Sequence, residues 1–225
     1  MSPVAIGARL SHTAAFMGMC LLCSTRPGKR FCPAKDGHIC AVCCGTKREI
    51  EIDCPSSCGY LKASRSYEAE KPIPDAEFAA KIQKYDRAFL DRFEHVLMMV
   101  NGTVIEERMA SSWLVDKDVI DVYKALAATM RTLSSGIYYE SLPEGSVRLS
   151  LYRRLKEGFD EFMKPDPGGV RPVLKASEAV EVLEFVLFAA ELNSTVRPRS
   201  RRYLDLIAET FGYPQAERSS GLIIP

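Results

Sequence analysis

Residues 20–58 read CLLCSTRPGKRFCPAKDGHICAVCCGTKREIEIDCPSSC and hold every cysteine of the chain: Cys20, Cys23, Cys32, Cys40, Cys43, Cys44, Cys54 and Cys58. Three close pairs stand out, Cys20-Leu-Leu-Cys23, Cys40-Ala-Val-Cys43 and Cys54-Pro-Ser-Ser-Cys58, with Cys32 and Cys44 as singles. A spacing of two or three residues lets one tight turn aim two thiolates at one metal ion. We read the stretch as a module that holds two zinc ions. Eight ligands fill two closed tetrahedral sites, the arrangement that structural zinc takes.

Cys43 and Cys44 are adjacent, and successive side chains of an extended backbone point apart, so one ion does not take both. The partition we favour is interleaved. Cys20, Cys23, Cys40 and Cys43 hold one ion, and Cys32, Cys44, Cys54 and Cys58 the other. The alternative gives Cys40, Cys43, Cys54 and Cys58 to one site. His38 is a possible substitute ligand for Cys32 or Cys44, although we favour an exposed turn histidine. An iron–sulfur cluster in a redox sensor is a minor alternative, since cysteine-only ligation permits it.

Local structure can be expected from the same residues. Gly28–Cys32 reads as a short strand entering a turn, and Asp36-Gly37 marks that turn. Cys40–Gly45 resembles a zinc knuckle. Lys47–Asp53 alternates polar and apolar residues, a strand pattern. Pro55 suits the first position of a helix, which would put Cys54 and Cys58 on its first turn. Knuckle, hairpin and helix-borne ligands in that order resemble a treble-clef-like zinc finger. The string from Cys32 to Leu61, Cys-Pro-Ala-x5-Cys-x2-Cys-Cys-Gly-Thr-x-Arg and then Ile-x-Cys-Pro-x3-Cys-x-Tyr-Leu, resembles a cluster found in bacterial proteins of no established function. That resemblance implies a bacterial, cytosolic, metal-binding protein and carries no activity.

Charge is balanced overall at +1 but unevenly placed. Residues 1–66 carry nine Lys/Arg against four Asp/Glu, so +5, and the remainder 21 against 25, so −4. Two divalent ions on eight thiolates add −4 to the module, which brings it near +1. Electrostatics therefore does not by itself select nucleic acid as a partner. The basic run Arg197, Arg199, Arg201 and Arg202 is the candidate anion or nucleic-acid contact, against the plainer reading of a solvated loop. Residues 13–23 have the hydropathy of a short signal core. Only Arg9 precedes them as a positive charge, no small-residue cleavage site follows, and a bilayer span takes roughly 20 apolar residues. We expect a cytoplasmic protein with no membrane partner, where cysteines stay reduced.

The expected fold is mainly α: a small β-hairpin/knuckle module with two zinc ions, followed by an all-helical bundle. Residues 1–19 form a loose extension, 20–66 the module, 67–74 a linker carrying Pro72 and Pro74, and 75–225 the helical domain. Helices are expected from Asp75 to Val100, ended by Asn101-Gly102, then over 103–114, from Asp116 to Gly136, over 146–164, over 178–193 capped by Ser177, and from Arg199 to Phe211, ended by Gly212 and Pro214. Helix 178–193 is apolar nearly all round, with Glu178, Glu181, Glu184 and Glu191 as its polar stripe. That marks the centre of a bundle, or else a dimer interface. No Ser/His/Asp set, phosphate-binding glycine loop or His-Glu-x-x-His motif occurs, and His12, His38 and His95 are the only histidines. The expectation is a non-enzymatic protein whose helical domain binds a protein partner or a second copy, with no small-molecule substrate evident.

Overall fold

The computed structural model describes residues 18–69, 83–165, 168–169 and 172–211. The expectations placed on residues 1–17 (His12 among them), on Pro72 and Pro74, on the start of the Asp75 helix, and on Gly212 and Pro214 lie outside those residues. The described chain is mainly α. It forms one antiparallel hairpin, β1 (Arg30–Cys32) and β2 (Gly37–Ile39). Seven helices follow: α1 (Ala41–Lys47), α2 (Gly59–Ala69), α3 (Arg87–Ala110), α4 (Asp116–Ser134), α5 (Ser146–Met163), α6 (Ala176–Asn193) and α7 (Arg202–Thr210). None of the described helices is long and apolar enough to cross a membrane.

Buried apolar residues gather in two clusters. One joins the cysteines to Ile39 and Ile52. The other is the bundle core, in which α4 packs on α5 and α6 while α3 packs on α5, α6 and α7. Helix α4 carries the most buried side chains, and α6 packs mainly on it. Val182, Leu183 and Val186 of α6 are buried but Val180, Phe185 and Leu187 only partly so, and α6 is not the central helix its apolar sequence suggests. Its polar stripe is matched by neighbours: Glu178 by Arg92, Glu184 by Lys84 and Arg131, and Glu191 by Lys124. Tyr85 and Phe89 pack on Phe185 at its outer edge. Helix α6 starts at Ala176, so Ser177 lies inside its first turn. The cap is made by Glu178, whose carboxylate accepts the Lys175 amide at 2.9 Å.

Three expectations are corrected. Asn101-Gly102 does not end a helix, because α3 runs through both to Ala110. Glycine in a helix costs about 1 kcal/mol. Val100, Val104 and Ile105 sit on one buried face across that point, and each contributes roughly 1.5–3 kcal/mol by burial. Burial therefore wins, and the 103–114 segment is the second half of α3. Next, Lys47–Asp53 is a tight turn. The Lys47 carbonyl accepts the amides of Ile50, Glu51 and Ile52 at 3.2, 3.1 and 2.9 Å, and Glu49 takes the left-handed φ of 53°. A strand would put Ile50 and Ile52 on one face, yet Ile52 is 1% exposed and Ile50 44%. Third, Cys54 and Cys58 do not lie on the first turn of a helix. The chain turns through 55–58, and α2 starts after Cys58, whose carbonyl accepts the Leu61 and Lys62 amides. Helix α2 itself runs from Gly59 to Ala69 and so includes residue 66.

Candidate metal centre

The loop Cys20–Cys23 rests on the hairpin. The Leu21 amide donates to the His38 carbonyl at 3.1 Å, and the Leu21 side chain fills the place a Cβ would take on Gly37, 2.3 Å from it. The Leu21 side chain is exposed and can swing aside, so the backbone-limited approach is at Gly28, where a Cβ would stand 2.9 Å from the His38 carbonyl oxygen. Beyond β2, Cys40 caps α1, and its sulfur accepts the Cys43 amide at 3.3 Å. A loop, a hairpin and a helix thus follow one another over residues 20–47. Cys40–Gly45, expected as a knuckle, is instead the N-cap and first turns of α1.

This arrangement gathers the sulfurs of Cys20, Cys23, Cys40 and Cys43 within 4.8 Å of one another. Four thiolates on a tetrahedral zinc, with bonds of about 2.3 Å, stand about 3.8 Å apart. The Cys23 and Cys40 sulfurs are already at 4.0 Å, so the set is close to that geometry, and all four thiols are free of disulfides. It can hold a metal ion. Cys44 follows Cys43 on a helix, about 100° further round, so its sulfur leaves the group and meets the Arg48 guanidinium at 3.7 Å.

Backbone amides prepare the site for negative charge. The Cys20 sulfur accepts from the Cys40 amide at 3.1 Å and the Leu22 amide at 3.4 Å. Burial would raise its pKa, but the amides of Cys40, Leu22 and Cys23 outweigh it and bring the thiol down to about 6. The amides of Thr25 and Arg26 lower Cys23 as well. Cys43 goes the other way, to about 12, through its contact with Cys40 and through burial. Without a cation only part of the set ionises near neutrality, because like charges this close oppose one another. A divalent ion removes that opposition.

Of the remaining cysteines, Cys54 lies near Cys58 and Cys32, while Cys44 meets Arg48. Cys32, Cys44 and Cys58 are buried and Cys54 half-buried. Burial pushes the Cys54 thiol up to about 11, offset in part by the Glu49 amide, and the nearby Cys58, Glu49 and Cys32 raise it further. Among the described residues these four sulfurs do not close to the spacing of the first set. His38 is exposed on β2, edge-on to Phe31 at 5.7 Å, and outside the first set. His95 is exposed on α3.

The arginine run turns toward the protein. Arg201 is buried, and its guanidinium pairs with Asp53 and donates to the carbonyls of Leu114 (3.1 Å) and Ser112 (3.0 Å). Arg197 lies 3.8 Å from Glu49 and Arg202 3.8 Å from Glu68. The Arg199 side chain is exposed, while its amide donates to the Glu49 carbonyl at 2.9 Å. Arg65 on α2 holds Glu49 at 3.0 Å and Asp205 at 2.6 Å, and Ser56 donates to Asp205 at 2.7 Å. The cysteine segment is therefore joined to α7 by a partly buried ion network. Sequence reading passed over Glu49, Asp53, Ser56, Arg65 and Asp205. The one available signal was an excess of charge in 47–53, which fits a solvated strand equally well.

Comparison of the chain with protein-family models, with curated proteins and with solved structures gives no match.

Proposed function

We propose that the chain is a non-enzymatic, zinc-stabilised interaction protein. One structural zinc ion sits on Cys20, Cys23, Cys40 and Cys43, and a second on Cys32, Cys44, Cys54 and Cys58. The helical part binds a protein partner or a second copy. The observation that carries this reading is the first set of sulfurs, gathered within 4.8 Å and supplied with amide donors. Four thiolates leave zinc no open position for water or substrate, which is the mark of a structural site. In the second set, Arg48 beside Cys44 offsets part of a four-thiolate charge, and a cation is what would hold Cys54 ionised at neutral pH. A module this small buries too little apolar surface to fold alone, so metal binding is in large part its folding energy. Nucleic-acid contact through Arg197–Arg202 is not adopted, because Arg197, Arg201 and Arg202 face Glu49, Asp53 and Glu68.

Elemental analysis of the purified protein tests the reading. Two zinc and no iron per chain are expected. Cys40→Ser and Cys54→Ser should each lose one zinc and keep the other. One zinc in the unaltered chain would remove the second site. A coloured protein containing iron would replace the zinc assignment altogether.

A further inference from the structure

Helices α3, α6 and α7 enclose an open groove of about 560 Å³. Its floor is buried core, with Val186 of α6 and Ile207 of α7. Its walls are large apolar side chains left partly in solvent: Leu90 and Met98 on α3, Leu206 on α7, and Phe211 just beyond it. On α3 the lining runs from Arg87 to Asn101, four turns or about 21 Å at 1.5 Å per residue. A long apolar channel walled by two helices accepts a third helix laid along it. Methionine in such a wall adapts to the side chains it meets.

The charges on the lining say what kind of helix. They are Arg87, Asp91 and Glu94. Arg87 pairs with Asp91 at 2.8 Å, whereas Glu94, midway along the α3 stripe, is exposed and has no ion-pair partner among the described residues. Among the described residues the groove thus presents one carboxylate without an ion-pair partner, midway along its α3 wall. A second copy pairing about the middle of this stripe would set Glu94 against Glu94, a like-charge contact. We infer that the groove between α3, α6 and α7 docks an amphipathic helix of a partner protein, with apolar residues at i, i+3/i+4 and i+7 and a Lys or Arg beside that stripe to meet Glu94. This rests on the interaction role proposed above and names the surface and the chemistry of the partner.

The test uses the full chain loaded with metal and two synthetic amphipathic helices of about four turns. They share a leucine stripe and differ only in carrying lysine or glutamate on its flank. Binding is read by fluorescence anisotropy at low salt. The lysine peptide should bind roughly three-fold tighter than the glutamate peptide, the size of one exposed charge pair, and Glu94→Lys should reverse the order. Met98→Asp and Leu206→Asp, both at exposed positions, should weaken both peptides about ten-fold or more, as expected of a charge placed in an apolar contact. Circular dichroism should show each variant folded. Absence of binding overturns the proposal, and so does binding indifferent to Met98→Asp or to the reversal at Glu94. A concentration-dependent dimer abolished by Met98→Asp would assign the groove to a second copy. Each of these results is independent of the zinc count, so the metal reading and the groove stand or fall separately.

Discussion

Asp116 shows how one side chain can take a role its own segment does not suggest. It opens α4, yet its carboxylate serves α7: one oxygen accepts the Leu204 amide at 3.1 Å, and the other the Tyr203 amide at 3.2 Å and the Ser200 hydroxyl at 2.7 Å. Arg201 offers α7 no side-chain cap of its own, so Asp116 caps the helix from across the fold. The residue is fully buried, and Asp116→Ala removes the acceptor of four donors, the Ser194 hydroxyl (3.3 Å) being the fourth. We expect a loss of about 2–4 kcal/mol in urea unfolding, and a loss within experimental error would refute the capping role. Burial raises the Asp116 pKa, and the hydrogen bonds only partly offset it. The folded chain therefore holds this proton more tightly than the unfolded one. This group's contribution to stability falls as pH rises from the ordinary carboxylate value through the folded value. Asp116→Asn should remove that falling limb, which a comparison of urea midpoints across acidic pH would detect.

Among the elements, α3 and the turn at 48–52 set local signals against burial. Gly102 lies inside α3 with nothing within 4 Å of where a Cβ would stand. Gly102→Ala should stabilise the protein by about 0.5–1 kcal/mol and raise its melting temperature by roughly 2–5 °C. A helix that stopped at Asn101 would show no such gain. The turn makes the opposite test. Ile52→Ala removes a side chain packed among the cysteines and should cost about 2–4 kcal/mol of module stability, while Ile50→Ala should be near neutral. Equal effects at both positions would restore the strand. Glu49 holds its left-handed backbone at a cost of about 1–2 kcal/mol. Its ion pairs with Arg65 and Arg197 lie on the side where α7 approaches.

At the scale of the whole molecule, the cysteine segment and the bundle have separate apolar clusters but share ion pairs. The turn at 48–53 touches sulfur on one side, through Arg48 and Cys44, and arginine on the other, through Asp53 and Arg201. Arg201 in turn holds the carbonyls between α3 and α4. Metal removal should therefore unfold residues 20–60, leave most of the helical dichroism in place and still lower the melting temperature of the bundle. A double-mutant cycle of Asp53→Ala and Arg201→Ala should give a coupling above about 1 kcal/mol in the metal-loaded protein, and a coupling near zero after chelation. Collapse of the whole helical signal with the chelator would show that bundle and module fold as one.

What the amino-acid sequence determined by itself is local. The spacing of Cys20 with Cys23 and of Cys40 with Cys43 announces sulfurs that come together, because side chains separated by two residues on one turn can face one point. The apolar period of α4, α5 and α6 announces a bundle because a helix buries a stripe. Gly136 ends α4 with a φ of 80° because the left-handed region suits glycine. Only the tertiary structure decided where the charges go. Arg201 was equally suited to a phosphate in solvent and to a buried carboxylate, and what separates the two is Asp53, brought to it from the distant cysteine segment. The same holds for Asn101-Gly102, a stop signal overruled by the buried valines on either side. Short-range geometry is written in spacing. The choice between solvent and a distant partner depends on burial, which exists only once the chain has folded.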